Sequence, residues 1–589
     1  MKSFFKYLLA SVLGVIVAGI ILFLILMGSI GAMIASQDKP VEVKPNSVLH
    51  VQLNKPVADR SSDNPMENFD FASFKPIISL GLDDILSSIE KAKEDENIKG
   101  IYLDFTVVPA GIATIEEIRN ALLDFKESEK FIIAYADVYT QSSYYLASVA
   151  DEIYLNPEGE LPFVGMQSQV MFFKDALDKI GVEPQIIRHG KFKSAVEPFM
   201  LNSMSEANRE QIETYMGSIW EHMVQEISTI RNISVDELNE LADNLTIRSA
   251  QAAVDYHLID GLRYKDEILA SLREKTEKEA DEDIEAINLS KYIKAPNKKK
   301  PKKLAKDKIA IVYAMGEVIM GEGQEGTIGS DRISRAIREA RKDTTIKAIV
   351  FRVNSGGGSA LASEVIWREV QLAKQEKPVI ASFGDVAASG GYYIAAPADA
   401  IVASPNTITG SIGVFGMIPN AEELLEEKIG VHTDVVKTNK HADMGSIHRA
   451  LTAQEREIIQ YGVEEIYQTF IEHVAQGRDM TVEEVDAIGQ GRVWSGANAM
   501  EIGLIDEFGG LEKAIELAAA KAELDDYRTV GYPKIKDPFQ QFLEEFQGNV
   551  EASILKKHLG AEYKYYEEIQ NLRKRSGIQA RIPYKIEVY

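Results

Sequence analysis

Two stretches of this chain repeat each other at a fixed spacing, and that repeat constrains the fold more than any other feature. Ile98-Lys99-Gly100-Ile101 matches Ile346-Lys347-Ala348-Ile349, Asp137-Val138 matches Asp385-Val386, and Tyr144-Tyr145 matches Tyr392-Tyr393. Asp151, Pro157 and Gly165 find their counterparts in Asp399, Pro405 and Gly413. Asp137 and Asp385 are 248 positions apart, as are Gly165 and Gly413, so the register holds without a gap between them. A slip of one residue follows, where Gly181-Val182 meets Gly430-Val431. Self-similarity on this scale means tandem copies of one domain. A chain of 589 residues is also too long for a single hydrophobic core.

Within each copy, short β-branched runs alternate with amphipathic segments. In the second copy Ile309–Ala314, Ala348–Val353, Val379–Phe383 and Ala400–Ala403 read as strands, with helices over Ser330–Arg341 and Ala360–Lys374. Continuous apolar strands between helices predict an α/β fold whose largely parallel sheet is covered on both faces.

The N-terminus adds a membrane element. After Lys2 and Lys6 no charge appears until Asp38, and residues 7–34 are almost wholly apolar. A bilayer core about 30 Å thick needs roughly 20 apolar residues as a helix, so this run is long enough to span. A cleaved signal peptide has an apolar region of only about 7–15 residues. The two preceding lysines place the N-terminus in the cytoplasm and the rest of the chain outside. The expected organisation is a cytoplasmic end at 1–6, an uncleaved transmembrane anchor at 7–34 and a spacer at 35–46. The first copy then covers 47–294, a lysine-rich linker 295–308, the second copy 309–540, and a charged, helical tail without assigned chemistry 541–589.

Composition narrows the chemistry. A net charge of −25 repels phosphate and argues against a nucleic-acid partner. With no cysteine, a thiol nucleophile, a disulfide framework and a zinc–thiolate site are all excluded. Gly321-Glu322-Gly323-Gln324-Glu325-Gly326 fits the dinucleotide fingerprint, but its glutamates repel a pyrophosphate and no helix opens directly on it. No cofactor or metal is expected.

Two segments can carry catalysis. Asn354-Ser355-Gly356-Gly357-Gly358-Ser359 follows a strand and opens a helix, so its backbone N–H groups can turn toward an anionic atom. Ala387-Ala388-Ser389-Gly390-Gly391-Tyr392-Tyr393 also follows a strand. There Ser389 is flanked by small residues, and the N–H of Gly390 is placed for an oxyanion. Nothing marks any of the nine histidines as its base. The better candidate is Lys193, in Lys191-Phe192-Lys193-Ser194-Ala195-Val196-Glu197-Pro198-Phe199. A lysine is ordinarily a solvated surface charge, yet an apolar setting can lower its pKa until it acts as a general base.

Taken together these segments resemble the long, two-copy form of signal peptide peptidase A, the bacterial protease IV family with a serine/lysine dyad. Lys193–Phe199, Ala388–Tyr393 and the Thr-Gly-Ser-Ile-Gly string at Thr409–Gly413 carry the resemblance, in the family's order. It implies Ser389 as nucleophile, Lys193 rather than Lys191 as general base, and Ser411 as the residue orienting the lysine. Oxyanion donors would be the N–H groups of Gly390 with Gly357 or Gly358. Glycine stands at Gly356 where the family has proline, which leaves that turn less rigid before substrate binds.

The resemblance further implies tandem Clp-protease/crotonase-like domains and a dome-shaped homotetramer. Its substrates would be remnant signal peptides and other unfolded peptides, on the outer side of a bacterial inner membrane. The repeat adds an independent constraint. Ser389 aligns with Gln141, Ser411 with Phe163, Gly357 with Pro109, and Lys193 with Ala442 after the slip. Each copy lacks what the other has, so one working site requires Lys193 to lie across a domain interface from Ser389. Two rivals remain open on sequence: a crotonase-like acyl-thioester enzyme on the same fold, and a non-catalytic membrane scaffold.

Overall fold

The computed structural model describes residues 6–7, 10–21, 41–61, 69–70, 75–76, 79–279, 282–296, 305–534 and 577–582. The expected anchor is therefore described only in part. Residues 10–21 are helical with exposed apolar side chains, while 8–9 and 22–34 lie outside the described residues. Among the described residues no helix is long and apolar enough to cross a membrane.

Each copy builds one sheet. The first orders Gly261–Leu262, Glu152–Glu160, Phe131–Val138, Ile98–Asp104, Ser47–Val51 and Ala286–Asn288, with every pairing parallel. The second orders Val493–Ser495, Ile408–Gly410, Val379–Ala388, Ile346–Ser355, Lys308–Met315 and Arg528–Tyr532, parallel except for its Val493–Ser495 edge. Ala400–Ala403 also pairs with Val379–Ala388.

Both faces of these sheets are covered, which explains the unbroken apolar runs. Along Lys308–Met315, Ala310, Val312 and Ala314 enter one core while Ile309, Ile311 and Tyr313 face another, packed with the helix Leu511–Lys521. The strands expected at Ala348–Val353 and Val379–Phe383 extend to Ile346–Ser355 and Val379–Ala388, and the helix Ala360–Lys374 runs as read.

The repeat extends to single hydrogen bonds. Tyr144 Oη donates to the Leu258 carbonyl at 2.7 Å, and Tyr392 Oη to that of Leu504 at 2.8 Å. Asp151 accepts from Ile132 N–H as Asp399 does from Val379 N–H, both at 2.8 Å. The two tyrosine hydroxyls are buried polar groups satisfied the same way twice, and the two aspartates bond equivalent strand starts nearer the surface.

A third sheet joins the copies. It orders Thr327–Gly329, Glu317–Ile319, Gly357–Ser359, Gly577–Arg581, Phe415–Asn420 and Glu183–Arg188. Glu183–Arg188 comes from the first copy and pairs antiparallel with Phe415–Asn420 of the second, from Phe415 opposite Arg188 to Asn420 opposite Glu183. Of the tail at 541–589, expected to be helical, only residues 577–582 are described, and there Gly577–Arg581 is a strand held by main-chain pairing on both sides. Residues 541–576 and 583–589 lie outside the described residues, as do 297–304 of the linker.

The helix Ile112–Lys126 of the first copy docks on the second through buried polar contacts. Arg352, fully buried, donates to Asp59 and Glu117, both at 2.6 Å. Asp385 accepts from the N–H and hydroxyl of Thr114 at 2.9 and 2.8 Å.

Candidate active site

Ser389 stands where the strand Val379–Ala388 ends and the short helix Gly390–Ala395 begins. The strand is irregular just before it: Val353 pairs with Phe383, but Ser355 pairs with Ala387. Such a bulge re-aims the residues that follow. Ser389 has φ 55° and ψ −116°, a region that costs a non-glycine residue roughly 1–3 kcal/mol. Hydrogen bonds hold it there, from Ser389 N–H to the Gly410 carbonyl and from Tyr393 N–H to the Ser389 carbonyl, both at 2.8 Å.

Lys193 reaches this serine from the first copy. Its Nζ lies 2.8 Å from Ser389 Oγ, 3.0 Å from Ser411 Oγ and 3.1 Å from the Ser411 carbonyl oxygen. Ser389 is 0% exposed and Lys193 1% exposed. Burial pushes the Lys193 pKa well below the ordinary 10.5. Lys191, two residues away, is largely exposed and faces Glu210 at 3.7 Å. The structure thus brings together Ser389, Lys193 and Ser411, and leaves Lys191 outside.

A neutral amine has two N–H donors and one lone pair. The two Ser411 oxygens can take both donors, which leaves the lone pair for the Ser389 hydroxyl. Ser411 is itself fixed in an uncommon backbone conformation, φ 49°, with its N–H on the Arg492 carbonyl at 2.6 Å.

The glycine turn lies beside the serine. Gly357 has φ 94°, and a Cβ there would meet Gly390 N at 2.6 Å, so only glycine permits this approach. The N–H of Gly357 donates to Ser355 Oγ at 3.1 Å, and Ser355 Oγ donates to the Gly316 carbonyl at 2.6 Å. Of the two turn amides named from sequence, that of Gly357 is therefore already engaged.

In the first copy the matching position is filled differently. Gln141 Nε2 donates to the Gly165 carbonyl at 3.1 Å, and its Oε1 accepts from the N–H groups of Val164 and Gly165 at 3.0 Å. The glutamine amide occupies the main chain that, in the second copy, lies near Ser389.

Two residues that sequence reasoning missed hold the lysine in place. Gln211, buried on the long helix Glu206–Arg231, donates to the Phe192 carbonyl at 3.1 Å and to Ser194 Oγ at 2.8 Å. Its Oε1 accepts from Val493 N–H at 3.0 Å, so it ties the lysine loop to the second copy. Gly491, at φ 80°, has room for hydrogen only, because a Cβ would fall 2.6 Å from Lys193 Cβ. Gln211 falls among the buried positions Ala207, Asn208, Ile212 and Tyr215 of that helix, and no motif in the sequence marks it. Gly491 carried no signal beyond being glycine.

Comparison with known proteins agrees with the repeat. The model of peptidase family S49 matches the chain twice, at residues 124–279 and 371–525. The chain is 36% identical to Protease 4 of Salmonella typhi over 513 residues, covering 85% of this chain and 80% of that protein. It is 38% identical to Protease 4 of Haemophilus influenzae over 448 residues, covering 74% and 72%. The chloroplastic serine protease SPPA of Arabidopsis thaliana is 32% identical, with 85% and 74% covered. Among solved structures, ClpP1 from Listeria monocytogenes aligns with 34% of this chain and 91% of its own, at 16% identity and a TM-score of 0.22. Two family matches, one in each copy, and relatives aligned over most of their length establish that the chain belongs to peptidase family S49 and is a serine protease.

Proposed function

We propose that the protein is a membrane-anchored endopeptidase with a Ser389/Lys193 dyad, which degrades cleaved signal peptides and other unfolded peptides. One observation carries this reading: a buried lysine, its pKa lowered by burial, stands 2.8 Å from a buried serine at the end of a strand. Neutral Lys193 takes the proton of Ser389 as its Oγ attacks the peptide carbonyl. Ser411 holds the lysine with its lone pair toward the serine. The N–H groups of Gly390 and Gly358 receive the oxyanion, while Gly357 shapes the turn. Lys193 then protonates the leaving amine and activates water against the acyl-enzyme. No cofactor takes part.

The apolar run at 7–34 supports a single anchor with the catalytic part outside the cytoplasm, in a bacterial inner membrane. The resemblance to the protease IV family supports a Clp-protease/crotonase-like fold in each copy and a homotetramer. It also supports the peptide class, because an enclosed site admits extended chain only.

The test is to purify Ser389→Ala and Lys193→Ala and follow digestion of an unfolded protein. Each should lose activity by roughly a thousandfold or more, as dyad members that act as a unit do. Folding, read by thermal unfolding, should stay intact. Activity retained in either variant rejects the dyad.

A further inference from the structure

We propose that Tyr467 is a positioning residue for proteolysis: its hydroxyl fixes the turn at residues 489–492, against which both Lys193 and Ser411 are seated. The inference rests on the serine/lysine reading above and adds to it a residue that acts through the turn.

The turn leads into the edge strand Val493–Ser495, which pairs with Ile408–Gly410 just before Ser411. Its main chain then runs along both halves of the site. On the side of the second copy, the Arg492 carbonyl accepts from Ser411 N–H at 2.6 Å, and Gly491 N–H donates to the Ile412 carbonyl at 2.8 Å. On the side of the first copy, the Gln490 carbonyl accepts from Phe192 N–H at 2.9 Å. Both sides are in close contact with the turn. A Cβ on Gly190 would fall 2.4 Å from the Gln490 carbonyl oxygen, and one on Gly413 would fall 2.7 Å from Gly491 Cα. The Gly413 carbonyl oxygen is in turn 3.4 Å from Ser389 Oγ. A displacement of these four residues therefore moves the lysine loop relative to the serines.

The turn does not hold its shape unaided. Gln490 has φ 54°, a left-handed conformation that a residue other than glycine keeps only where its surroundings impose it. Two neighbours impose it here. Gln490 N–H donates to Tyr467 Oη at 3.2 Å, and Gln490 Nε2 donates to the Asp486 carboxylate. Tyr467 Oη donates to the same carboxylate at 2.6 Å, so tyrosine, aspartate and glutamine close a ring of hydrogen bonds.

Tyr467 is placed to couple this ring to the lysine. It is 3% exposed, on the helix Ala453–Arg478. Burial, and then the bond to Asp486, push its pKa above the ordinary tyrosine value, so the hydroxyl keeps the proton it donates. Its ring stacks on that of His189, with centroids 3.8 Å apart, and His189 Nδ1 bonds to Glu464 of the same helix. One side chain thus grips the turn by its hydroxyl and the approach to Lys193 by its ring.

The experiment compares Tyr467→Phe, which keeps the ring and deletes the hydroxyl, with Asp486→Ala, which deletes the hydroxyl's acceptor. Tyr144→Phe is the control, since it also loses a buried hydroxyl bond, to the Leu258 carbonyl of the first copy. Casein digestion is followed at steady state across pH, with thermal unfolding and labelling by a serine-directed phosphonate in parallel. Tyr467→Phe and Asp486→Ala should each lower kcat about tenfold with KM nearly unchanged, because a displacement of about 1 Å can cost a hundredfold and the loss of one pin moves the turn less. The rising limb of the pH profile should shift upward, as the loosened lysine regains water. Tyr144→Phe should lower the unfolding temperature and leave kcat and that limb unmoved. Wild-type kcat and pH profile in both test variants, with Ser389→Ala and Lys193→Ala inactive, overturn the positioning role and leave the dyad standing. So does a loss of kcat that follows the unfolding temperature while the limb stays in place. A wild-type chain that neither digests casein nor takes the phosphonate overturns the dyad, and the role of Tyr467 with it.

Discussion

In the proposed dyad, the charge on Lys193 sets when the site can work. Its pKa is lowered by burial, so free amine forms at a lower pH than in an exposed lysine. Activity should therefore rise with pH as Lys193 loses its proton, with a midpoint well below the ordinary lysine value. Stability carries the same ionisation. Between the folded and unfolded pKa the unfolded chain holds a proton that the folded chain has released, so stability increases with pH across that window. Below the folded pKa the full penalty of burying the charge is present. Lys193→Met removes the penalty, so its unfolding midpoint should exceed the wild type at neutral pH and converge with it at high pH. Paired thermal scans and a pH profile of kcat/KM measure both effects. A wild-type profile without that ionisation, or midpoints that run parallel, contradicts the account.

The elements that deliver the lysine explain why its placement depends on groups far away in sequence. Glu183–Arg188 lies along Phe415–Asn420, Gln211 bridges the loop to Val493, and Gly491 lets the lysine backbone pass. Gln211→Ala removes four hydrogen bonds, with Phe192, Ser194, Asn208 and Val493, each worth about 1 kcal/mol net. We expect kcat to fall at least tenfold with KM nearly unchanged, and the rising limb of the pH profile to shift as the amine loses its fixed setting. Gly491→Ala should cost roughly a hundredfold, because a displacement of about 1 Å in a catalytic group can do so. If kcat and KM change together in Gln211→Ala, its role is general stability and not positioning. The core strands were legible because their apolar runs are continuous, and the residues of the proposed dyad stood out because their motifs are local. Glu183-Pro184-Gln185-Ile186-Ile187-Arg188 was not read as a strand, since it has a proline and polar residues and its partner is more than 200 positions away. Gly577–Arg581 was hidden for the same reason: five residues without a long apolar run become a strand only between two edges supplied by the second copy.

At the scale of the whole molecule, the site exists only while the two copies stay docked. Each copy has kept the shared hydrogen bonds of the fold and carries one member of the proposed dyad, so Ser389 meets Lys193 only across the junction. The junction is held in part by ionised groups out of water: Arg352 contacts Asp59 and Glu117 and also donates to Ser382 Oγ and the Phe383 carbonyl. Glu117 accepts in addition from Leu511 N–H at 2.8 Å. Burial raises the Glu117 pKa, and the Arg352 guanidinium opposes that rise. Arg352→Leu removes the opposing charge and leaves both carboxylates buried, a loss of about 3–5 kcal/mol by comparison with other broken buried pairs. The Glu117 pKa must then climb further above its unfolded value. A group with a raised folded pKa loses stability as pH increases, because the folded chain holds a proton that the unfolded chain has given up. The deficit of Arg352→Leu relative to wild type should therefore grow from acid toward neutral pH, and denaturant unfolding at about pH 5 and about pH 8 measures it. Peptidase activity should fall with docking although Arg352 touches neither member of the dyad. A deficit that is constant across that range would mean that Glu117 stays ionised without its partner, and that packing rather than charge holds the copies together.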